Sequence, residues 1–297
     1  MSTNTKKNTN TNTDTNMHTD QASSLYKFNE NIMGNFSRLK KIAITSGKGG
    51  VGKTSVVVNL GVALARLKMK VAILDADYGL GNIDILLGIE PDLDISDLLK
   101  DTATLEQVLI ARHELSIIPA TSGIQSLAHL TEYQEILLYK ELKKLENMVE
   151  LLIIDTAAGI SDNVISLLLS ADEVYLVVSP ENTSIVDAYA VVKVVSELDA
   201  FKKFSVIANM VEDKQEGSEV FLKISRAGKK FLNKELHYLG CIRKDEHMVE
   251  AIKFQQPVVE RFPDCPGSVD FMELSRAVIE RAANMEIRKD KKSRLDF

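Results

Sequence analysis

The stretch Ser46-Gly47-Lys48-Gly49-Gly50-Val51-Gly52-Lys53-Thr54 lies between an apolar run at 41–46 and a helical periodicity over 53–68. Residues 47–54 fit GxxxxGK(S/T), a pattern that has a mechanism in that setting. The glycines let the backbone curl until successive N–H groups point at a β-phosphate, and the helix N-terminus adds a favourable dipole. Gly47, Gly49, Gly50, Val51 and Gly52 thus form a phosphate cradle. Lys53 reaches the β and γ phosphates of ATP, and Thr54 offers its hydroxyl to Mg²⁺. Gly47, Gly49 and Gly52 also satisfy GxGxxG, with Asp75 placed like the ribose-binding acid of a dinucleotide fold. Lys53-Thr54 separates the two readings, because a triphosphate with magnesium needs a cation and a hydroxyl there and a dinucleotide does not.

Outward from the loop, residues 71–75, 115–119, 150–155, 173–179, 205–209 and 238–242 read as further strands. Leu151-Leu152-Ile153-Ile154 and Val174-Tyr175-Leu176-Val177-Val178 are nearly continuous apolar runs, as strands buried on both faces require. Strands alternating with helices predict an α/β fold, a doubly wound and mainly parallel sheet flanked by helices. Such sheets bind ligands beyond the carboxyl ends of their strands, so the residues just after each strand are the candidates.

The bulk properties agree with one ATPase domain over 41–286. At 297 residues and 45% hydrophobic content, the chain can bury one large core. A net charge of −6 argues against nucleic-acid binding through the whole surface. Cys241 and Cys265 are too few for a disulfide framework and read as reduced thiols. No apolar run approaches the ~18 residues that span a bilayer, and no signal peptide is visible, so a cytoplasmic protein is expected. Residues 1–19 are a Thr/Asn-rich tail whose ordering no burial would offset. Residues 20–36 suit a short amphipathic helix, either packed on the domain or bound to a partner.

Lys48, a second lysine near the start of the loop, makes the motif KGGxGKT. It resembles the deviant Walker A family that includes MinD, ParA, the nitrogenase iron protein and the arsenite-pump ATPase. The resemblance covers about residues 41–280. It implies a nucleotide-sandwich homodimer in which Lys48 reaches the partner's phosphates, as an arginine finger would. Asp75-Ala76-Asp77-Tyr78-Gly79-Leu80-Gly81-Asn82-Ile83-Asp84 is similar to the first switch of the MinD branch. By that match Asp77 positions the attacking water and Asp75 supports the magnesium hydration shell. Asp155 ends an apolar strand as a Walker B acid does, and Asp155-Thr156-Ala157-Ala158-Gly159 resembles the second switch, with Ala157 in place of the usual proline. Asn209 matches the adenine-reading asparagine. Arg243 stands where the family's GxIPxD segment has proline, which leaves that wall of the adenine pocket open to question.

Within the family, Asp20-Gln21-Ala22-Ser23-Ser24-Leu25-Tyr26 resembles the DQAxxLR motif of the FlhG flagellar regulators (also called FleN or YlxH). That motif activates an FlhF-type SRP GTPase, which assigns partner binding to Asp20, Gln21 and Leu25; Tyr26 replaces the arginine. The resemblance implies an ATP-dependent switch that sets flagellar number or placement, with flagellar switch (C-ring) proteins among its partners. A MinD-type division ATPase and a non-hydrolysing ATP-gated scaffold are the alternatives. Residues 287–297 form a basic tail with Leu295 and Phe297, which reads equally as a peripheral anchor on the inner membrane or as a solvated end.

Overall fold

Among the described residues, eight strands account for every apolar run singled out above. They are β1 (Lys40–Thr45), β2 (Val71–Ala76), β3 (Ile110–Arg112), β4 (Leu115–Ile118), β5 (Leu151–Thr156), β6 (Glu173–Val178), β7 (Lys203–Val211) and β8 (His237–Arg243). The computed structural model describes residues 39–77, 82–112, 115–120 and 131–293. The tail 1–19, the 20–36 segment with Asp20, Gln21 and Leu25, and residues 294–297 lie outside the described residues.

The strands form one sheet in the order β3-β4-β2-β5-β1-β6-β7-β8. All pairings are parallel except β3 with β4. The antiparallel β3 was not anticipated, because Ile-Ala-Arg is too short to show a period and takes its conformation from pairing with β4. The chain runs from β1 outward to β2 on one side and later to β6 on the other. The carboxyl end of β1 is therefore the point where the winding reverses, and that is where such sheets bind ligands.

Alternate residues of the central strands feed separate cores on the two faces. Leu152 and Ile154 of β5 pack with Leu74, Val174 and Leu176 on one face. Leu151 and Ile153 pack with Ile42, Ile44 and Ile73 on the other. Complete burial of each such side chain stabilises the fold by about 1.5–3 kcal/mol, so these strands cannot slip in register without exposing a core.

The helix Lys53–Arg66 runs directly from the glycine loop and is buried along most of its length. The last helix, Pro266–Ser293, packs on that helix and on β8, and it continues past the expected boundary at 286. It is pinned to the sheet by a buried charge: Arg281 Nε donates to Glu173 Oε1 at 2.6 Å, and Ser205 Oγ donates to the same oxygen at 2.6 Å.

Candidate nucleotide site

The loop after β1 is shaped by close approach as well as by backbone freedom. A Cβ on Gly47 would lie 2.1 Å from the carbonyl carbon of Asp187, so the helix Asn182–Leu198 touches the loop backbone directly. Gly52 has φ +80° and faces Asn209, whose Nδ2 would be 2.5 Å from an added Cβ. Asn209 Nδ2 also donates to Val51 O at 2.8 Å, so this side chain braces the loop from β7. From the other side, Gly159 N donates to Ser46 O at 2.9 Å and ties the segment after β5 to the loop.

Sheet register brings the acids to the same edge. Asp75 of β2 pairs with Asp155 of β5, and Asp155 pairs with Ile44 of β1, two residues before the loop. Lys53 Nζ donates to Asp155 Oδ1 at 2.5 Å and lies 3.5 Å from Thr54 Oγ1. Both partners of the ion pair are buried. Burial pushes the Asp155 carboxyl above the usual carboxylate range, and the Lys53 charge opposes that rise. Asp75 is raised to about 7, first by burial and then by the charge of Asp155, against a hydrogen bond from Asp77 N. That bond is 3.1 Å to Asp75 Oδ1, and it holds Asp77 at the half-buried exit of β2.

Asp155 Oδ2 is buried and has no hydrogen-bond partner among the described residues. An orphaned carboxylate oxygen beside the Thr54 hydroxyl and the Asp75 carboxylate is a set of hard oxygen donors, which suits Mg²⁺. Lys53, Thr54, Asp75, Asp77 and Asp155 therefore converge, while Asn209 sits on the opposite flank of the loop. Tyr78, Gly79, Leu80 and Gly81 of the first switch lie outside the described residues.

Lys48 points elsewhere. Its Nζ donates to Glu181 Oε2 at 2.7 Å and to Thr183 Oγ1 at 3.3 Å, on the exposed rim. Sequence reasoning missed both partners, although they follow a predicted strand at a helix start, where polar side chains gather. It also missed Ser55, whose hydroxyl in the first turn of the helix is buried without a hydrogen-bond partner among the described residues. Arg243 serves the packing of the last helix. Its guanidinium grips the buried Asp270 there, with Nη2 2.9 Å from Oδ1 and Nε 2.9 Å from Oδ2.

A phosphate loop at the reversal point of a doubly wound sheet, with its lysine on a buried strand-end aspartate, defines a P-loop NTPase. The family model described as "ParA: NUBPL iron-transfer P-loop NTPase" matches residues 38–279. The chain belongs to this ParA/MinD family of P-loop ATPases, in the FlhG branch with FleN and YlxH. It is 39% identical over 266 residues to the antiactivator FleN of Pseudomonas aeruginosa, covering 89% of this chain and 94% of that protein. It is 33% identical over 226 residues to the flagellum site-determining protein YlxH of Helicobacter pylori, covering 75% and 76%. Among solved structures it resembles MinD in the MinC:MinD complex of Aquifex aeolicus, with a TM-score of 0.66, 28% identity and coverage of 81% and 96%. Similar values hold for MinD of Pyrococcus horikoshii complexed with Mg-ADP: a TM-score of 0.66, 25% identity, and 81% and 96% coverage. No helix among the described residues is long and apolar enough to cross a membrane.

Proposed function

We propose that this ATPase is a dimerising switch that regulates flagellar number or placement. The observation that carries this reading is the match to FleN over 94% of that protein's length, in a chain with a complete phosphate loop. In the proposed cycle the loop N–H groups and Lys53 hold the phosphates, and Asn209 reads the adenine. Thr54, Asp75 and Asp155 hold Mg²⁺, which when bound neutralises charge on the β and γ phosphates. Asp77 orients a water whose oxygen attacks the γ-phosphorus as the bond to the bridging oxygen breaks, leaving ADP and inorganic phosphate. Lys48 leaves Glu181 and meets the phosphates of a second copy, so hydrolysis and dimerisation are linked. Asp20, Gln21 and Leu25 engage an FlhF-type GTPase, the dimer meets flagellar switch proteins, and the basic C-terminal end touches the cytoplasmic face of the inner membrane.

Deleting the gene and counting flagella and cell lengths together tests this reading. Extra or misplaced flagella with normal division are expected. Normal flagella with misplaced septa would overturn the reading in favour of a MinD-type role. Phosphate release unchanged in Asp77→Ala, with dimerisation intact, would instead identify an ATP-gated scaffold.

A further inference from the structure

Away from the phosphate loop, three side chains of different metal-binding chemistry meet at the carboxyl end of β8. Asp245, His247 and Cys265 bring a carboxylate oxygen, an imidazole nitrogen and a thiol sulfur within 4.8 Å of one another. Among the described residues this is the one place where three or more His, Cys, Asp or Glu side chains do so. Three strand spacings separate β8 from β1, so the cluster stands about 14 Å from the phosphate loop along the same sheet edge.

Capping explains only one member of the cluster. Asp245 caps the helix Glu246–Lys253 through His247 N at 3.0 Å, and its other oxygen accepts from Gly267 N at 2.8 Å at the start of the last helix. Neither bond calls for an imidazole or a thiol nearby. Yet His247 Nδ1 lies 2.7 Å from Asp245 Oδ1, and its ring is tilted on Phe262 at 4.8 Å. Cys265 is buried and its thiol donates to Ser268 Oγ at 3.4 Å. The His247 side chain is 46% exposed, which leaves an entry path and room for water as a fourth ligand.

We infer that Asp245, His247 and Cys265 form a binding site for one Zn²⁺-class divalent cation per chain. A mixed thiolate, imidazole and carboxylate set suits zinc, and hard cations such as Mg²⁺ would leave the thiol unused. Metal–ligand lengths of about 2.0–2.3 Å place tetrahedral ligands roughly 3.3–3.8 Å apart, so on binding the widest gap in the cluster closes by up to about 1 Å while the 2.7 Å approach of His247 Nδ1 to Asp245 Oδ1 opens. The Cys265 thiol proton passes to solvent as the sulfur coordinates, and the His247 ring proton shifts from Nδ1 to Nε2, which frees Nδ1 to bind the ion. The bound ion clamps the helix Glu246–Lys253 to the start of the last helix. This site does not depend on the flagellar reading.

Co²⁺ titration of the full chain, followed by absorption, is the test. One equivalent giving tetrahedral visible bands and a thiolate-to-cobalt charge-transfer band, both displaced by Zn²⁺, is the expected result. Cys265→Ser should abolish the charge-transfer band, His247→Ala should weaken binding at least tenfold, and Cys241→Ser should change nothing. Nucleotide binding and circular dichroism verify that each variant is folded. Absence of the band at stoichiometric Co²⁺, or a band that survives Cys265→Ser and is lost in Cys241→Ser, would overturn the assignment and leave Asp245 as a helix cap alone.

Discussion

Replacing Gly47 with alanine tests whether the loop is set by its contact with the neighbouring helix. The added Cβ would sit 2.1 Å from Asp187 C, 2.4 Å from Asp187 O and 2.4 Å from Ala188 N, all backbone atoms that cannot swing aside. Ordinary contact begins near 3.4 Å, so loop and helix must part by more than an ångström. Overpacking of this kind costs about 1–3 kcal/mol. For a domain of this size that lowers Tm by roughly 2–12 °C. Gly49 is the internal control, because a Cβ there meets nothing within 4 Å. Thermal melts without nucleotide should show Gly47→Ala destabilised and Gly49→Ala within about a degree of the parent. Moving the cradle by an ångström should also cut ATP turnover about 100-fold in Gly47→Ala. Equal melting of the two variants would refute the idea that helix contact shapes this loop.

Arg281→Met should destabilise the fold by about 3–5 kcal/mol, read from urea midpoints, because Glu173 is wholly buried and loses its cation. The double replacement Glu173→Met with Arg281→Met should recover most of that loss. Asp75, raised to about 7, binds a proton in the folded state that the unfolded chain releases above about 4. Apo stability should therefore fall as pH rises from 4 to 7 and level off above, by on the order of 4 kcal/mol from this group. Asp75→Asn should flatten the descent in urea titrations across that window, and an unchanged slope would contradict the assignment. Glu181→Ala breaks an ion pair whose side chains are 42% and 62% exposed, worth at most about 1 kcal/mol. ATP-dependent dimerisation by analytical ultracentrifugation should then shift no more than about fivefold, whereas Lys48→Ala should abolish stimulation of turnover by dimerisation.

The sheet was legible because its strands are buried on both faces, so Leu151 to Ile154 could belong to nothing but a central strand. The phosphate loop was legible for a different reason: glycine spacing and Lys53-Thr54 report local backbone chemistry that needs no tertiary context. What escaped reading depends on partners distant in sequence. Asn209 was matched to a base reader, yet its bond to Val51 O spans 158 residues and nothing in its own segment announces it. Arg243 looked like a departure from a pattern until Asp270, 27 residues later, supplied its counter-charge. Strand β3 had too few residues to carry a period, and Glu181 and Thr183 became relevant only once Lys48 was seen to reach them.

The contact between Gly47 and the Asp187–Ala188 backbone has a mechanical meaning. No side chain cushions it, so a shift of the helix Asn182–Leu198 toward the loop would meet backbone at once. On that helix Val186 is 64% exposed, one residue before Asp187 and about one turn beyond Asn182 at 1.5 Å per residue. A load on that outer face would reach the loop backbone at Gly47 with no side chain between them, so the helix is a hard stop for the nucleotide loop.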